Sequence, residues 1–465
     1  MLLCLAQLMV ILDISAVNVA LPDLAKDLGI GHADLSWTIT SYSLVFGSLL
    51  LLGGRAADLL GRRRVFLTGL GVFTAASLGS ALAGSAAALF AARAGQGLGA
   101  ALLSPAALSI ITTQFRGPER ARALGVWGAV GGAGAAAGVL LGGLLTQLID
   151  WRAIFFINLP IGLIVAAGAA HVVPRDAARP SWRRLDLRGA ALATASVGAL
   201  VFAFSRAQSA GWTSTQTLGL IAAGVAGLGA FAVSQRRASL PLLRVQRLAD
   251  RAIGGGFVMM LAGTAVLFGS FLLSSLYLQQ VLGANPLTTG LAFLPFALAL
   301  GAGVHAGTRI VSQRGVRAPL AGGFAIAAAG LFLLGGVSDR GGYVSDLLPG
   351  MLVAGIGLGV VLVSVAFSVL SGAPEEETGM LSGLNTTGHE LGGSLGLAVL
   401  TTIAAGTLGH VQGAAAIPAI ADGLGNAFLA AAIIAAVASI AALALLPAAK
   451  SFLPRLELAP PVTIH

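Results

Sequence analysis

Hydrophobic residues occur along this chain in long runs that short polar segments separate. Each run covers about 18 residues or more, the length that crosses roughly 30 Å of hydrocarbon as an α-helix. The pattern therefore predicts an all-α integral membrane protein with fourteen transmembrane helices. They are expected at residues 2–22, 37–57, 65–83, 86–111, 123–146, 153–173, 189–206, 217–234, 252–280, 288–306, 319–337, 347–370, 383–405 and 424–447.

The two longest polar segments, 174–188 and 235–251, divide the predicted helices into six, two and six. A duplicated six-helix unit is a frequent architecture among secondary transporters. The predicted organisation has four parts. They are an N-terminal six-helix bundle (1–173), a linker with two extra helices (174–251), a C-terminal six-helix bundle (252–447) and a cytoplasmic tail (448–465).

Composition agrees with a membrane protein and excludes several other classes. Charged residues make up 10% of the chain, against about 25% in soluble proteins. The net charge of +9 does not indicate nucleic acid, because the basic residues recur in short clusters between the apolar runs. With Cys4 as the single cysteine, no internal disulfide can form. Lys26 and Lys450 are the only lysines and neither follows Gly, so the chain has no P-loop for ATP.

The distribution of Lys and Arg predicts the orientation. With the N-terminus in the cytoplasm, 22 of the 27 basic residues lie on the inside, 4 lie outside and Arg93 lies within a helix. The positive-inside rule therefore places both termini in the cytoplasm of a multi-pass plasma (inner) membrane protein. The first run lacks a basic n-region and a cleavage site, so it is interpreted as a helix that a short missing leader could precede.

Asp13 and Arg93 are the candidate proton-coupling pair. A carboxylate in the middle of a span costs about 2.5–3.5 kcal/mol and should face the bundle interior or a wet cavity. Arg93 is the only basic residue deep inside a predicted helix, and Asp13 is the only acid deep in the first six helices. A carboxylate whose arginine contact changes between two conformations can bind and release a proton. A permanent structural ion pair is the alternative.

His389 and Glu390, in the thirteenth predicted helix, are the rival proton carriers. A buried Glu beside a His can hold a proton near neutral pH, while a wet, structural role is the alternative. Gly392-Gly393-Ser394-Leu395-Gly396 matches G-x-S-x-G, but it lies within a helix instead of on a strand-to-helix turn. Ser394 with His389 would be the only nucleophile–base pair for a membrane-embedded serine hydrolase, the least favoured function.

Two further motifs concern packing and conformational change. In the fifth helix, glycines spaced by four form one stripe that permits close contact with another helix; they are Gly134, Gly138 and Gly142, with Gly143 beside them. After the second helix, a short loop combines small, acidic and basic residues. Its members are Gly54, Asp58, Gly61, Arg62 and Arg63.

Together these motifs resemble the major facilitator superfamily, and within it the fourteen-spanner drug:proton antiporter family. The most specific segments are 12–22, the loop after the second helix, 93–101 and 151–162. The resemblance implies that the loop latches the two halves in the outward-open state and that the glycine stripe is the antiporter motif. A plain positive-inside loop and general packing of small residues are the alternatives. This chain has Val139 where that motif usually has Pro, and Ser15 where Thr is commoner.

The resemblance implies a proton-coupled antiporter that exports small hydrophobic or amphipathic compounds by alternating access. Its partners would be a small-molecule substrate and the lipid bilayer, with no nucleic acid, no metal and no cofactor beyond the coupling protons. It would function as a monomer, and no substrate-binding residue is assigned. A proton-coupled importer on the same fold is the alternative, and transport direction distinguishes the two.

Overall fold

The computed structural model is helical throughout the parts of the chain that it describes, which are residues 1–30, 37–115, 117–174, 186–238, 241–370, 377–406, 416–449 and 452. Its long helical segments are α1 (Leu2–Leu28), α2 (Trp37–Leu60), α3 (Arg62–Ala81), α4 (Ala86–Gln114), α5 (Gly117–Leu148), α6 (Ala153–Val172), α7 (Leu187–Ala210), α8 (Thr215–Arg237), α9 (Arg251–Val281), α10 (Leu287–Arg314), α11 (Arg317–Leu334), α12 (Tyr343–Leu370), α13 (Thr378–Ala405) and α14 (Ala416–Leu445). Each contains most of one predicted helix. A 3₁₀-helix, Val245–Ala249, precedes α9.

Twelve of these segments are long and apolar enough to cross a membrane, which confirms the prediction of a multi-pass membrane protein. The two others are α5 and α13. Within the described residues only Ala137–Leu148 of α5 forms an apolar stretch, and it is shorter than a span. Segment α13 is long but carries Ser, Thr, Asn, His and Glu side chains. The number of fourteen membrane spans therefore stays a prediction.

The helices pack as two groups of six. In the first group α4 packs on α2 and α3, and α1 packs on α5 and α6. In the second group α12 packs on α10 and α11, α13 on α9, and α14 on α11. The groups meet where α2 contacts α13 and where α5 contacts α10. Below, the N-terminal face is the one at which α1 begins, and the opposite face is the one at which α2 begins.

The extra pair, α7 and α8, lies beside the contact between the two groups. Helix α7 packs on both α2 and α13, while α8 packs mainly on α7. Towards the opposite face the Thr40 and Ser205 hydroxyls are 3.3 Å apart, and Trp212 Nε1 donates to Thr402 Oγ1 at 2.9 Å. At the N-terminal face Arg247, in the 3₁₀-helix, donates from Nε to the Glu377 carboxylate at 2.8 Å. The boundaries predicted at 174, 252 and 448 remain predictions, and most of the predicted tail lies outside the described residues.

One proline explains the close approach of α2 to α4. Because Pro105 has no backbone N–H, the carbonyl of Ala101, four residues earlier, lacks its helical donor. Gly53 of α2 lies against this carbonyl, and a Cβ placed on it would be 2.0 Å from the Ala101 oxygen. The absence of a side chain at Gly53 therefore lets the two backbones touch, as small residues do in membrane helix pairs.

Candidate functional site

Asp13 lies in a closed polar cluster inside the first group of helices. Its carboxylate is 1% exposed and accepts hydrogen bonds from three side chains on two other helices. Arg93 Nη1 donates to Oδ2, while Gln96 Nε2 (2.8 Å) and Asn158 Nδ2 (2.9 Å) donate to Oδ1. The structure therefore brings the predicted Asp13 and Arg93 together as a buried ion pair.

The Arg93 guanidinium is held by more than its counter-ion. Its Nε donates to the carbonyl oxygen of Thr38 at 3.1 Å, and its Nη1 also donates to Gln96 Oε1 at 2.9 Å. The Tyr42 ring lies 4.5 Å from Cζ and the Phe155 ring 5.9 Å away. These faces provide cation–π attraction in a desolvated site. Four helices thus converge on one arginine–carboxylate pair, which is costly to leave half-paired, at about 3–5 kcal/mol.

Neutral polar residues complete the cluster, and no role is predicted for them from the sequence. Ser77 Oγ accepts from Gln96 Nε2 at 2.8 Å, and Ser80 Oγ donates to Gln96 Oε1 at 3.1 Å. Gln96 lies three residues after Arg93, on the same face of α4, and Asn158 lies within the recognised segment 151–162, so both carried a signal. Ser77 is one of many serines in apolar runs, and nothing in the sequence distinguishes it.

Asp13 is predicted to lie in the middle of the membrane, but the cluster lies nearer to one end of the surrounding helices. Ser77 is four residues from the end of α3, Arg93 seven residues from the start of α4, and Thr38 in the first turn of α2. All three of those helix ends are on the opposite face.

Beyond the predicted first span, Arg152 and then Trp151 donate hydrogen bonds to Asp27. These bonds hold the pKa of the Asp27 carboxyl below its usual value.

At the N-terminal face Asp58 joins the two groups of helices. Its Oδ1 accepts from the backbone N–H of Gly379 and its Oδ2 from that of Met380, both at 2.8 Å. These N–H groups belong to the first turn of α13, where helices leave donors unpaired and attract anions. Arg62 Nη2 lies 3.9 Å from Asp58 Oδ1. Sequence alone could not identify this partner, because backbone N–H groups carry no residue signature.

Of the other loop residues, Gly54 belongs to this contact, while Gly61 and Arg63 hold the loop within the first group. A Cβ placed on Gly54 would lie 2.2 Å from the Gly379 carbonyl oxygen, so the contact between α2 and α13 requires glycine there. Gly61 has φ +104°, in the region that favours glycine, and it links α2 to α3. Arg63 donates to the carbonyl oxygens of Ala170 (2.6 Å) and Val173 (3.1 Å) at the end of α6, within the first group.

The glycine stripe of α5 packs on α1. A Cβ on Gly138 would lie 2.6 Å from Ser15 Cβ, and one on Gly142 would lie 2.7 Å from Ala16 Cα. One on Gly134 would lie 3.0 Å from Ile11 Cγ2, and Gly143 is also buried. The stripe therefore gives α5 a close contact along the helix that carries Asp13.

His389 and Glu390 form a separate pair on α13, about three turns from its start at Thr378. His389 Nδ1 lies 3.3 Å from Glu390 Oε1, and its ring meets that of Phe268 edge to face at 5.2 Å. Both side chains are partly exposed, at 30% and 21%. No hydrogen bond among the described residues joins this pair to Asp13 or to Ser394. Within the described residues, no group of His, Cys, Asp or Glu could hold a metal ion.

Comparison with known proteins identifies the group to which this architecture is similar. Residues 3–397 match the model of the Major Facilitator Superfamily. Puromycin resistance protein pur8 of Streptomyces alboniger is 40% identical over 409 residues, which are 86% of this chain and 80% of that protein. Cephamycin export protein CmcT of Amycolatopsis lactamdurans is 41% identical over 408 residues, covering 86% and 83%.

Solved structures agree on the fold. The human organic anion transporter MFSD10 (TETRAN) superposes with a TM-score of 0.67 at 18% identity, over 95% of this chain and 98% of that one. The proton:xylose symporter XylE superposes with a TM-score of 0.66 at 14% identity, over 98% and 97%. At these identities the likeness concerns the arrangement of the helices alone.

Proposed function

Because the chain belongs to the major facilitator superfamily, we propose that it is a proton-coupled antiporter that exports small hydrophobic or amphipathic organic compounds. Membership identifies it as a membrane transport protein and not an enzyme, which excludes the serine hydrolase. We place it in the plasma membrane as a monomer with both termini in the cytoplasm, so that the N-terminal face is cytoplasmic. It requires no cofactor beyond the coupling protons.

The observation that carries proton coupling is the buried Asp13–Arg93 pair. A carboxylate that is closed off from water, and whose counter-ion has alternative partners nearby, can exchange a proton when the helices rearrange. Arg93 has such partners in the Thr38 carbonyl and Gln96 Oε1. In this scheme protonation of Asp13 removes its charge and weakens its hold on Arg93, which changes the contacts among α1, α2 and α4.

The direction of transport rests on the relatives. Puromycin resistance protein pur8, cephamycin export protein CmcT and the tetracenomycin C resistance and export protein of Streptomyces glaucescens are named for resistance or export. The compounds in those names are antibiotics of different structure. We therefore favour antibiotic-like compounds as substrates and export over import.

Closure of the N-terminal face is the second part of the mechanism. Asp58 holds the start of α13, and Arg120 of α5 donates to the carbonyl oxygen of Leu370 at the end of α12. Both contacts cross between the groups, so both must break before a compound can enter from that face. In this state the two groups are therefore closed against each other at the proposed cytoplasmic side.

Efflux is expected to follow the proton gradient and not ATP. Cells that express the chain should lose efflux of a compound from a panel of puromycin, a cephamycin and tetracenomycin C when a protonophore is added. Efflux should survive ATP depletion if a proton gradient is imposed, because the sequence contains no P-loop. Drug retention is measured by mass spectrometry, with vector-only cells as the control. ATP-dependent transport without a gradient, in proteoliposomes, would exclude an antiporter.

A further inference from the structure

Three hydroxyl groups near the start of α2 are buried without a partner. Thr38 Oγ1, Ser41 Oγ and Tyr42 OH have no hydrogen-bond partner among the described residues, and each side chain belongs to a residue that is at least nine-tenths buried. Helical spacing places residues 38, 41 and 42 on one side of α2, within an arc of about 100°. Buried hydroxyls are almost always hydrogen-bonded, to protein or to water.

These hydroxyls lie on the first two turns of α2, beside the proton site and at the end of the helix that is on the opposite face. The Thr38 carbonyl oxygen accepts from Arg93 Nε, and the Tyr42 ring covers the Arg93 guanidinium. Arg93 in turn contacts Asp13. Helix α2 begins at Trp37 on the opposite face, so Thr38 lies in its first turn and Ser41 and Tyr42 lie in the next.

The charged groups around this side of α2 belong to three helices. Arg93 on α4 lies 4.5 Å from the Tyr42 ring and is paired with Asp13 on α1, both within the first group, and Glu390 on α13 belongs to the second group. Glu390 faces α2 near Gly47, where a Cβ would lie 3.9 Å from its own Cβ. A proton passing along α2 would therefore move through a field set by two acids and one guanidinium.

We propose that the Thr38, Ser41 and Tyr42 hydroxyls form a proton path that connects Asp13, through water, to the opposite face. A hydroxyl both donates and accepts, so a row of them can pass a proton from one water to the next while each keeps its oxygen. The N-terminal face is closed by Asp58 and Arg120, which leaves the opposite face as the source. The inference rests on the proposed function, because it assigns the route to the site proposed there.

The rate of proton uptake tests this path without any transported compound. Purified protein in detergent is subjected to a rapid drop in pH, and uptake is followed with pyranine. The triple variant Thr38→Val, Ser41→Ala, Tyr42→Phe keeps the aromatic ring over Arg93 but removes all three hydroxyls. We expect uptake to slow by about tenfold or more, with the number of protons bound unchanged, because the site remains and its route is lost.

The matched control is Ser48→Ala, on the same helix. The Ser48 hydroxyl is buried but donates to the Val45 carbonyl oxygen, so its removal should leave the rate unchanged. Equal proton uptake by the unsubstituted protein and by Asp13→Asn would contradict the proposed function itself. Uptake that depends on Asp13 but keeps its rate in the triple variant would overturn the path alone.

Cysteine labelling provides a second readout that a folding defect in the triple variant cannot affect. Because Cys4 is the only cysteine, a Cys4→Ser background allows one cysteine to be placed at a time. In intact cells, Ser41→Cys should bind external Ag⁺, a thiol probe of about the size of water, and Ser48→Cys should not. Equal labelling of both positions, or labelling of neither, would overturn the path.

Discussion

The Asp13→Asn variant is expected to move its compound across the membrane but to lose proton-driven accumulation. Asn keeps the shape of Asp and mimics its protonated form, so it removes the exchangeable proton. Its amide oxygen can still accept from Arg93 Nη1, and Asn158 can turn its own amide group to offer an oxygen. The guanidinium loses its counter-ion, so we expect lower stability and expression, and transport is compared per folded molecule. Coupled transport should therefore fall to the background rate, while exchange of labelled compound at equal pH on both sides continues.

Two further variants make this result specific. In Glu390→Gln the rival carrier on α13 loses its charge, and we expect proton-driven efflux to persist. The double variant Asp13→Asn, Arg93→Gln removes both charges, so it should express better than Arg93→Gln alone, which leaves a buried carboxylate unpaired. Full uphill efflux in Asp13→Asn would contradict the assignment and move proton coupling to α13. Failure of both single variants to fold would indicate a purely structural pair.

Two neighbouring glycines, Gly53 and Gly54, should give different defects when each is changed to Ala. Gly54 contacts α13 of the other group, at a distance that leaves no room for a Cβ. Gly54→Ala should therefore exclude the closed N-terminal face, leave the fold intact and reduce transport by about tenfold or more, the effect of roughly 1.4 kcal/mol on a conformational equilibrium. Gly53 contacts α4 of its own group, so Gly53→Ala should lower thermal stability and expression instead.

Labelling at the N-terminal face separates these outcomes. Ser382, on α13, is fully buried in the closed state. In a Cys4→Ser background, Ser382→Cys should become reactive from that face in Gly54→Ala but not in its absence. Asp58→Asn should increase labelling in the same direction, because it weakens two charge-assisted hydrogen bonds to the start of α13. If Gly54→Ala unfolds as readily as Gly53→Ala, the latch assignment is wrong.

The fold could be predicted well from the sequence because a helix that crosses lipid must be a long apolar run. Segment α6 was predicted at 153–173 and runs from Ala153 to Val172. Several helices extend beyond their predicted ends. One of them is α13, which is predicted to begin at 383 and begins at Thr378. Its first turns carry Ser382 and Asn385, which are buried against protein. Hydropathy cannot distinguish a polar residue that faces protein from one that faces water.

Only the charged members of the candidate site could be predicted, because charged residues are rare inside the predicted helices. Asp13 and Arg93 were paired because each lacked any other deep partner in its half, and the structure places them in contact. Neutral members of the cluster have no such constraint. Gln96 and Asn158 lie near recognised residues, but only the packing shows that they bond Asp13. The partner of Asp58 lies more than 300 residues away in sequence, and its donors are backbone N–H groups. Contacts of that kind require three-dimensional information.

The depth of the polar cluster has an electrical consequence. Helix α3 has 20 residues, so it is about 30 Å long, close to the hydrocarbon thickness. Ser77 lies about 6 Å from its end at the opposite face, and it accepts from Gln96 and Asn158, the two amides that also donate to Asp13. In the proposed orientation, an entering proton crosses only about a fifth of the membrane voltage before it reaches Asp13.

The remaining four-fifths of the voltage acts on release towards the cytoplasm. Of about 2.3 kcal/mol per proton at 100 mV, roughly 1.8 kcal/mol would therefore drive that later step. Apparent proton affinity measured from outside should depend little on membrane potential, whereas the maximal turnover rate should rise with it. The protein would then use chemical proton concentration to load its carboxylate and electrical force to empty it.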